Sequence, residues 1–461
     1  MNLRAVLLLI VLTLTSCETN SHNPTSANRD LATADTLQVA NSRYSPAFDA
    51  SQAAYDSNAA GDSQVTEQLA TYIEQARSSE AAGELARSLG HWERVRNIVD
   101  RSFGEQSWQA TNAQVAIDNV EWRMSLDEQQ QALLQRLQQI EAAAHEAAST
   151  NVSVNLWRQA RVLAEQLWGN DHLATATYLD REAAVHQLAG DPSAAIELYR
   201  AALRIRKETV GRTHPDYAST LGALADIHFT AGDHELARQY LAEATQVSQA
   251  IWGHNHQRYA LHLNRLGVLH HRLGDHEQAE VALRNAFQIL QQQADYAQSP
   301  LADTAYNLGA LYFAQNDMPR AIEYYEIALE SYEEGFGRDD DQALRVIDSL
   351  AAAYMSQENY SIAEALLNEA FLARNRIQGE QHPDTVRTLF RWALALGSQG
   401  NYNDAEPLLR QVLQLQQADP ATEPAQLRNT ALAYATLLEQ TGRTDDAEAL
   451  MAWAESMRTE N

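Results

Sequence analysis

The chain has 461 residues, more than a single compact core usually contains, so we expect several domains or one extended array. Hydrophobic residues make up 45% of it, and it has only 19 Gly and 10 Pro, which favours a helical fold. Its formal net charge of -27 argues against binding to duplex DNA, which requires clustered cations. Its single cysteine, Cys17, excludes an intramolecular disulfide.

The N-terminal segment has the pattern of an export signal. Residues 1–4 carry one cation, and residues 5–14 form an apolar run that is too short to span a bilayer. The end of this run, followed by two small residues and Cys17, resembles a bacterial lipobox. The resemblance implies a lipoprotein signal peptide at residues 1–16 and acyl chains such as palmitate on Cys17. The alternative is an ordinary signal peptide in which a cysteine occurs by chance.

The residue after the cysteine is Glu18. In the best-known lipoprotein sorting rule an Asp at this position retains the protein at the inner membrane, so Glu18 favours the outer membrane, facing the periplasm of a Gram-negative envelope. Residues 17–60 are rich in Ser, Asn, Thr, Ala and Asp and have no periodicity. This composition predicts a flexible, low-complexity tether between the membrane and the folded part.

Residues 61–170 are predicted to be helical and to hold degenerate repeats. Residues 89–93 look like a turn that opens a second helix ending near Gly104, and residues 108–147 look like one helical stretch longer than a single repeat. Three later residues are in phase with the clear repeats that follow: Ser153, Trp157 and Ala160.

A turn-prone residue recurs every 42 residues in the rest of the chain. These seven residues, called turn positions below, are Gly190, Gly232, Gly274, Asn316, Glu358, Gly400 and Gly442. An alanine lies five residues after each turn position, a large residue nine after it, and a small residue seven before it. Spacings of three and four place apolar residues on one helix face, so each copy is predicted to form two antiparallel helices. One pair cannot bury both of its faces, so neighbouring pairs should stack.

A second set of glycines marks the predicted ends of the second helices: Gly169, Gly211, Gly253, Gly337 and Gly379. Glycine accepts the left-handed conformation of a helix cap. Three residues after most of them stands a histidine: His172, His214, His256 or His382.

These columns resemble the tetratricopeptide repeat, and the Gly-x-x-His-Pro-Asp segments at 211–216 and 379–384 look like its kinesin-light-chain type. The resemblance implies an all-α fold, a right-handed α-solenoid of stacked antiparallel helix pairs, with seven tandem repeats at residues 171–457. It is specific for the fold and weak for function.

Two histidine patterns could suggest metal binding, and the register argues against both. His256, of the pair His254 and His256, is in phase with the other loop histidines, so it is expected to be a cap residue. A second set shares one column with tyrosines of later repeats, which predicts an interhelical contact for its members: His186, His228 and His270.

No pattern typical of an enzyme is found. Residues 339–341 are three aspartates that lack the other ligands of a calcium loop, and they are expected to help cap the next helix. No Ser-His-Asp spacing, glycine-rich phosphate loop or HExxH helix occurs. We therefore expect no catalysis, no metal and no cofactor.

In this repeat family the first helices line a concave groove. Residues 13, 10, 9, 6 and 3 before each turn position do not pack inward, and in this chain they are rich in arginine, amide and aromatic side chains. The predicted partner-binding groove contains Arg181, Phe229, Asn264, Arg265, His271, Tyr306, Asn307, Phe313, Arg345, Arg387 and Arg391. Arginine can hold carboxylates bidentately, and similarity to kinesin-light-chain grooves implies an acidic peptide with an aromatic residue. The alternative is that these arginines pair with neighbouring acids, such as Asp226 and Asp303, and bind nothing.

The sequence thus predicts a membrane-anchored protein–protein interaction scaffold that captures an extended, acidic segment of a protein or peptide partner, with no nucleic acid. One alternative is a structural accessory subunit of an envelope assembly or secretion complex, which should expose an apolar patch on an end repeat. The other is an enzyme, which would need a convergent pocket of titratable groups.

Overall fold

The computed structural model describes residues 63–147, 149–293 and 298–457, and all regular structure in these ranges is helical. They form two compact units, called here the first unit (63–262) and the second unit (263–457). Within each unit, helices pack mainly against their neighbours in the chain, so the predicted all-α fold of stacked helix pairs is confirmed. Among the described helices, none is both long and apolar enough to cross a membrane. The predictions for Cys17 and the tether fall outside the described residues.

The first unit contains nine complete helices: α1 (Ser63–Ala81), α2 (Leu85–Phe103), α3 (Trp108–Met124), α4 (Glu128–His145), α5 (Thr150–Trp168), α6 (Leu173–Leu188), α7 (Pro192–Thr209), α8 (Pro215–Thr230) and α9 (His234–Trp252). The unit boundary lies inside α10 (Gln257–Arg272). The second unit contains the rest of α10 and α11 (His276–Gln291), α12 (Gln298–Ala314), α13 (Met318–Phe336), α14 (Asp341–Ser356), α15 (Tyr360–Gln378), α16 (Pro383–Gln399), α17 (Tyr402–Ala418), α18 (Pro424–Gln440) and α19 (Thr444–Ser456).

The N-terminal helices differ from the sequence prediction in two places. Gly90 lies inside α2, and the turn before this helix is at Gly83 (φ 76°), so the predicted turn at 89–93 is wrong. Residues 108–147 form two helices rather than one, because Asp127 caps α4 by accepting a hydrogen bond from a backbone N–H. Helices α1 to α3 share a hydrophobic core of their own.

The seven turn positions all have positive φ, as expected for the reversal between a first and a second helix. Five of them are glycines, but Asn316 and Glu358 both adopt a φ of 61°. A β-carbon disfavours this region, so Glu358 holds a strained backbone that only the surrounding repeat packing maintains.

The ends of the second helices confirm the predicted glycine positions and correct their conformation. Gly169 combines a φ of 89° with a ψ of 169°, and Gly379 combines 86° with 164°. This is extended backbone at positive φ, which essentially only glycine adopts, and not the left-handed helical cap that the sequence suggested.

The histidines that follow these glycines begin the next first helices, and their expected cap role is confirmed. In each of them Nδ1 accepts a hydrogen bond from the backbone N–H two residues later, at 3.1–3.3 Å: His172, His214, His256 and His382. An accepting Nδ1 carries no proton, so this cap contact requires the neutral imidazole.

Candidate functional site

The predicted groove residues of the second unit lie on successive first helices, and several bond to one another. Asn307 Nδ2 on α12 donates to Asn264 Oδ1 on α10 at 3.0 Å. The Tyr306 hydroxyl lies 3.3 Å from Ser349 Oγ on α14. In both pairs the residue ten before one turn position meets the residue nine before the next. These two columns therefore join neighbouring first helices, and Asn264, predicted to line an open groove, is buried in this contact.

Arg345 on α14 has unused hydrogen-bonding capacity. Its guanidinium carbon lies 5.4 Å from the centre of the Tyr306 ring, a cation–π distance. Its Nη2 donates to the side-chain oxygen of Gln342. Its Nε and Nη1 are buried and have no hydrogen-bond partner within the described residues. A buried donor without an acceptor costs free energy, so Arg345 is the strongest candidate for contact with a partner.

The groove arginines of α16 lie next to acids. Arg387 Nη2 is 2.6 Å from the Asp384 carboxylate. Arg391 is almost fully buried, with Nη1 3.8 Å from the Asp348 carboxylate. Both arginines pair with neighbouring acids, as in the alternative interpretation, but Arg387 stays partly exposed whereas Arg391 is buried.

Asp348 also belongs to a buried network that the sequence analysis missed. Arg374 on α15 donates to the Asp348 carboxylate and to the hydroxyl of Thr388 on α16. Thr388 in turn donates to Asp348 at 3.1 Å. This network ties a first helix, its second helix and the next first helix together.

The first unit contains the same network, formed by Asp180, Arg206 and Thr220 on α6, α7 and α8. The three pairwise separations are 26, 14 and 40 residues in both copies. The copies lie four repeats of 42 residues apart, and this shared phase is the sequence signal that could have revealed them.

Arg181 is not part of an open surface, which corrects the prediction for the first unit. Its side chain is fully buried, with Nη1 2.8 Å from Glu141 Oε1 and 3.2 Å from His145 Nε2 on α4. Its guanidinium also lies 4.9 Å from the Trp157 ring centre. Burial raises the pKa of Glu141 even though Arg181 opposes the rise, and burial with Arg181 lowers the pKa of His145. Arg181 therefore holds α6 against α4 and α5.

The remaining predicted residues are partly buried and lie apart from these networks. Phe229 lies with its ring 5.6 Å from that of His234, and Phe313 packs against the core of the second unit. Burial lowers the pKa of His271 to about 4, assisted by neighbouring cationic groups. Arg265 is half-buried on α10.

The histidine and aspartate motifs are engaged within the fold. His186, His228 and His270 each place Nδ1 3.2–3.4 Å from the aspartate that follows the turn position. Asp340 accepts a hydrogen bond from the Gln342 N–H at 2.9 Å, so its expected cap role is confirmed. In the part of the chain that the structure describes, no group of three or more His, Cys, Asp or Glu residues could hold a metal ion.

Comparison with known proteins gives the same fold. The family model described as Tetratricopeptide repeat matches residues 183–250, 216–292, 300–371 and 344–418. No curated protein matches the sequence.

Two solved structures are similar to this chain in fold, at 13% identity each. The apo form of the quorum sensor NprR from B. thuringiensis has a TM-score of 0.53, with 83% of this chain and 100% of that chain covered. A signal transduction ATPase with a tetratricopeptide repeat sensor, from Pyrococcus horikoshii, has a TM-score of 0.54, with 75% of this chain and 54% of that chain covered.

A structure of kinesin-light-chain-like repeats from Podosopora anserina is 17% identical, covers 53% of this chain and 96% of that chain, and has a TM-score of only 0.30, so it adds no argument. The kinesin-light-chain type thus stays a resemblance of sequence. The protein is all-α in its described residues, and it contains tetratricopeptide repeats across residues 183–292 and 300–418.

Proposed function

We propose that the second unit binds an extended segment of a partner protein along the first helices α10, α12, α14 and α16. The carrying observation is Arg345, whose Nε and Nη1 are buried without an acceptor in the described residues, beside the Tyr306 ring. Asn264 and Asn307 pair their amides across neighbouring first helices, and Asn307, which is partly exposed, offers an amide to an extended backbone. Tetratricopeptide repeats typically form scaffolds for protein–protein interaction, which supports a binding role over catalysis.

The partner segment is proposed to be acidic. Arg345 and Arg387 are partly exposed on the neighbouring first helices α14 and α16 of a chain whose formal net charge is -27, so this surface presents positive charge on an otherwise acidic molecule. Carboxylates are the natural ligands of arginine forks.

Site-specific photocrosslinking tests the groove. A benzophenone amino acid replaces Ala310, which lies six residues before its turn position on α12 and is partly exposed. The matched control carries it at Glu330, an exposed residue of the second helix α13. We expect one dominant adduct at position 310, its yield reduced at least tenfold by Arg345→Glu, and no such adduct at position 330. Equal adducts at both positions, or no effect of Arg345→Glu, would place the partner elsewhere.

Lipid attachment at Cys17 is proposed from the lipobox and from the cysteine's being the only one in the chain. Three acyl chains would anchor the protein firmly, because each buried methylene contributes roughly 0.8 kcal/mol. Metabolic labelling with a fatty acid should tag the wild type and leave Cys17→Ser unlabelled. Membrane fractionation of the labelled protein then separates the proposed outer membrane from the inner one.

The alternative as a structural subunit called for an apolar patch on an end repeat. In the described residues of the second unit, the most exposed large apolar side chains are Phe336, Leu372 and Ile377, on α13 and α15 in the middle of the unit. This distribution does not favour the structural subunit over the binding scaffold.

A further inference from the structure

Helix α3 lies along one edge of the first unit, where second helices end and first helices begin. The ring centre of Trp122 on α3 lies 4.8 Å from that of Trp168, the last residue of α5. Earlier in α3, Asn112 Oδ1 accepts a hydrogen bond at 2.7 Å from Nε2 of His214, which begins α8. Other residues of α3 pack into the core that α1 to α3 share. Helix α3 therefore joins this three-helix core to the ends of the helix pairs.

This contact buries the start of α8 and has an electrostatic component. The His214 side chain is 1% exposed, and the neighbouring Pro215 is buried. Burial lowers the pKa of His172, which begins α6, and Asp118 of α3 is close enough to oppose this. The residues at the ends of the helix pairs are called here the covered edge: Trp168, His172, His214 and Pro215.

The second unit repeats this edge four repeats later and leaves it open. Each residue of the covered edge has a counterpart 168 residues further on, and these counterparts are called the open edge: Phe336, Asp340, His382 and Pro383. Phe336 is 59% exposed, the His382 side chain is 39% exposed, and Pro383 is exposed as well. Ile377, in the last turn of α15, is 55% exposed and extends the apolar surface. A surface that α3 buries in the first unit is thus accessible to a partner in the second.

The open edge is more acidic than the covered edge. Residues 333–341 and 375–384 hold seven acids and two arginines, whereas the equivalent residues 165–173 and 207–216 hold four acids and two cations. Three of the added acids stand where the first unit has a histidine, a leucine and an arginine: Asp340, Asp341 and Glu380. All three accept hydrogen bonds from neutral amide N–H groups, so these contacts do not compensate their negative charge.

This charge decides which kind of partner fits. A second copy of the chain would bring a formal net charge of -27, and its α3 would place Asp118 opposite Asp340. Like charges in a contact repel, so the edge disfavours a second copy and favours a cationic partner. Phe336 and Ile377 require in addition a large apolar side chain, which an amphipathic helix presents beside its cations.

We propose that the open edge binds a basic amphipathic helix of a partner protein. The helix lies across the starts of α14 and α16 as α3 lies across the starts of α6 and α8. A large apolar side chain of the helix packs on Phe336, and a cation lies beside the partly exposed Asp340. This site does not depend on the groove function, because helix ends form it and not the faces of the first helices.

The test uses the full chain and a probe designed from α3. The probe is a fluorescein-labelled, hydrocarbon-stapled peptide with the 17-residue α3 sequence carrying Asp118→Arg and Glu121→Arg, and the control peptide keeps both acids. In fluorescence anisotropy at constant ionic strength, the basic peptide should bind at least about tenfold more tightly than the control. With benzoylphenylalanine in place of Trp122, the basic peptide should crosslink to residues 333–341, and mass spectrometry locates the adduct.

Variants of the open edge locate the contact. Phe336→Ser and Asp340→Asn should each weaken binding of the basic peptide at least about fivefold, and the asparagine retains a capping oxygen for α14. The matched control is Val281→Ser, which removes a 54% exposed apolar side chain from α11 and should leave the affinity unchanged. Circular dichroism shows whether each variant is folded.

Equal affinity of the two peptides, or unchanged binding in both open-edge variants, would overturn the site. Adducts at residues 165–173 would also reject it, because the probe would then have displaced α3 from the covered edge. If analytical ultracentrifugation shows dimers of the full chain that Phe336→Ser abolishes, the occupant is a second copy and the basic helix is rejected.

Discussion

The two units contain the same buried network of aspartate, arginine and threonine, but the pKa of the buried aspartate is shifted in opposite directions. Asp180 and Asp348 occupy the same place in helix pairs four repeats apart and make the same bonds, yet the pKa of the first is raised and that of the second is lowered. The repeat fixes the bonds within the network. The neighbouring side chains, which vary freely between repeats, set the charge of the site. Function can therefore differ along an array whose architecture is uniform.

Removing the arginine of each network should change the unfolding free energy most, and by different amounts in the two units. Arg206→Gln leaves the Asp180 carboxylate buried without a close cation, and we expect a loss of about 3–5 kcal/mol in unfolding free energy. Arg374→Gln should cost less, because Arg391 and Arg387 still act on Asp348. Urea unfolding followed by circular dichroism measures both, with Arg410→Gln as an exposed control. Equal losses would show that the extra arginines do not act on Asp348.

The small-residue column offers a second comparison. The first unit has Ala183 and Ala225 seven residues before the turn position, whereas the second unit has Gly267 and Gly309 before alanine returns in its later repeats. A β-carbon on Gly309 would lie 2.6 Å from Cδ1 of Tyr325. We expect Gly309→Ala to destabilise the fold by about 1–3 kcal/mol through overpacking. Adding Tyr325→Leu, which copies the pair found in other repeats, should restore most of the loss, and a double variant as unstable as the single one would contradict the clash.

The cap histidines make the acid response of the first unit testable. Burial lowers the pKa of His256 to about 4, assisted by Arg258, from 6.5 in the unfolded chain. A lowered histidine pKa means that the fold favours the neutral form, so this stabilisation is complete above pH 6.5 and is lost as the pH falls towards 4.

Protonation also removes the Nδ1 acceptor, and a lost helix cap costs about 1 kcal/mol. His256→Asn keeps a capping oxygen without this titration, so its urea midpoint should fall less than that of the wild type across this range. Parallel curves for the two proteins would exclude His256 as a contributor.

Substitutions at the turn positions should change the unfolding free energy least. Gly190 and Gly232 serve the first unit, whereas Glu358 adopts positive φ in the second. Glu358→Gly removes the strain of the β-carbon and should raise the unfolding free energy by about 0.5–1 kcal/mol, after the entropy cost of glycine. Thermal unfolding measures the change, and Gly232→Ala should shift stability in the opposite direction. A destabilised Glu358→Gly would mean that the Glu358 side chain makes a contact worth more than the strain.

Much of this structure could be predicted from periodicity. The column of turn positions, the helix pairs, the histidine caps and the cap of Asp340 all follow from local rules of hydrogen bonding and helix phase. In residues 61–147 the sequence predicted helices but misplaced their boundaries, because the repeats are degenerate there: Gly83 stands outside the repeat columns, and Asp127, in phase with Gly169, is not a glycine.

The groove was only partly predictable. The columns correctly placed Asn264 and Asn307 on successive first helices, but they could not distinguish a residue facing solvent from one facing its neighbour. Arg181 and Arg391 share a column with Asn307, yet both are buried beside carboxylates. Whether an arginine faces solvent or a neighbouring helix depends on the acids that lie nearby on that helix. Those acids are about 40 residues away in the chain.

The sequence by itself determined the repeat, its two helices and its punctuation, because these depend on residues within one turn or one helix of each other. Only the tertiary structure decided which groove arginines pair with acids and which stay partly exposed. It brings Asp348, Arg374 and Thr388 from three helices into one network. It leaves the Nε and Nη1 of Arg345 without an acceptor in the described residues, and it pairs the buried Arg181 with Glu141. Electrostatic interactions depend on distance in space and on burial, and neither is written in the spacing of residues along the chain.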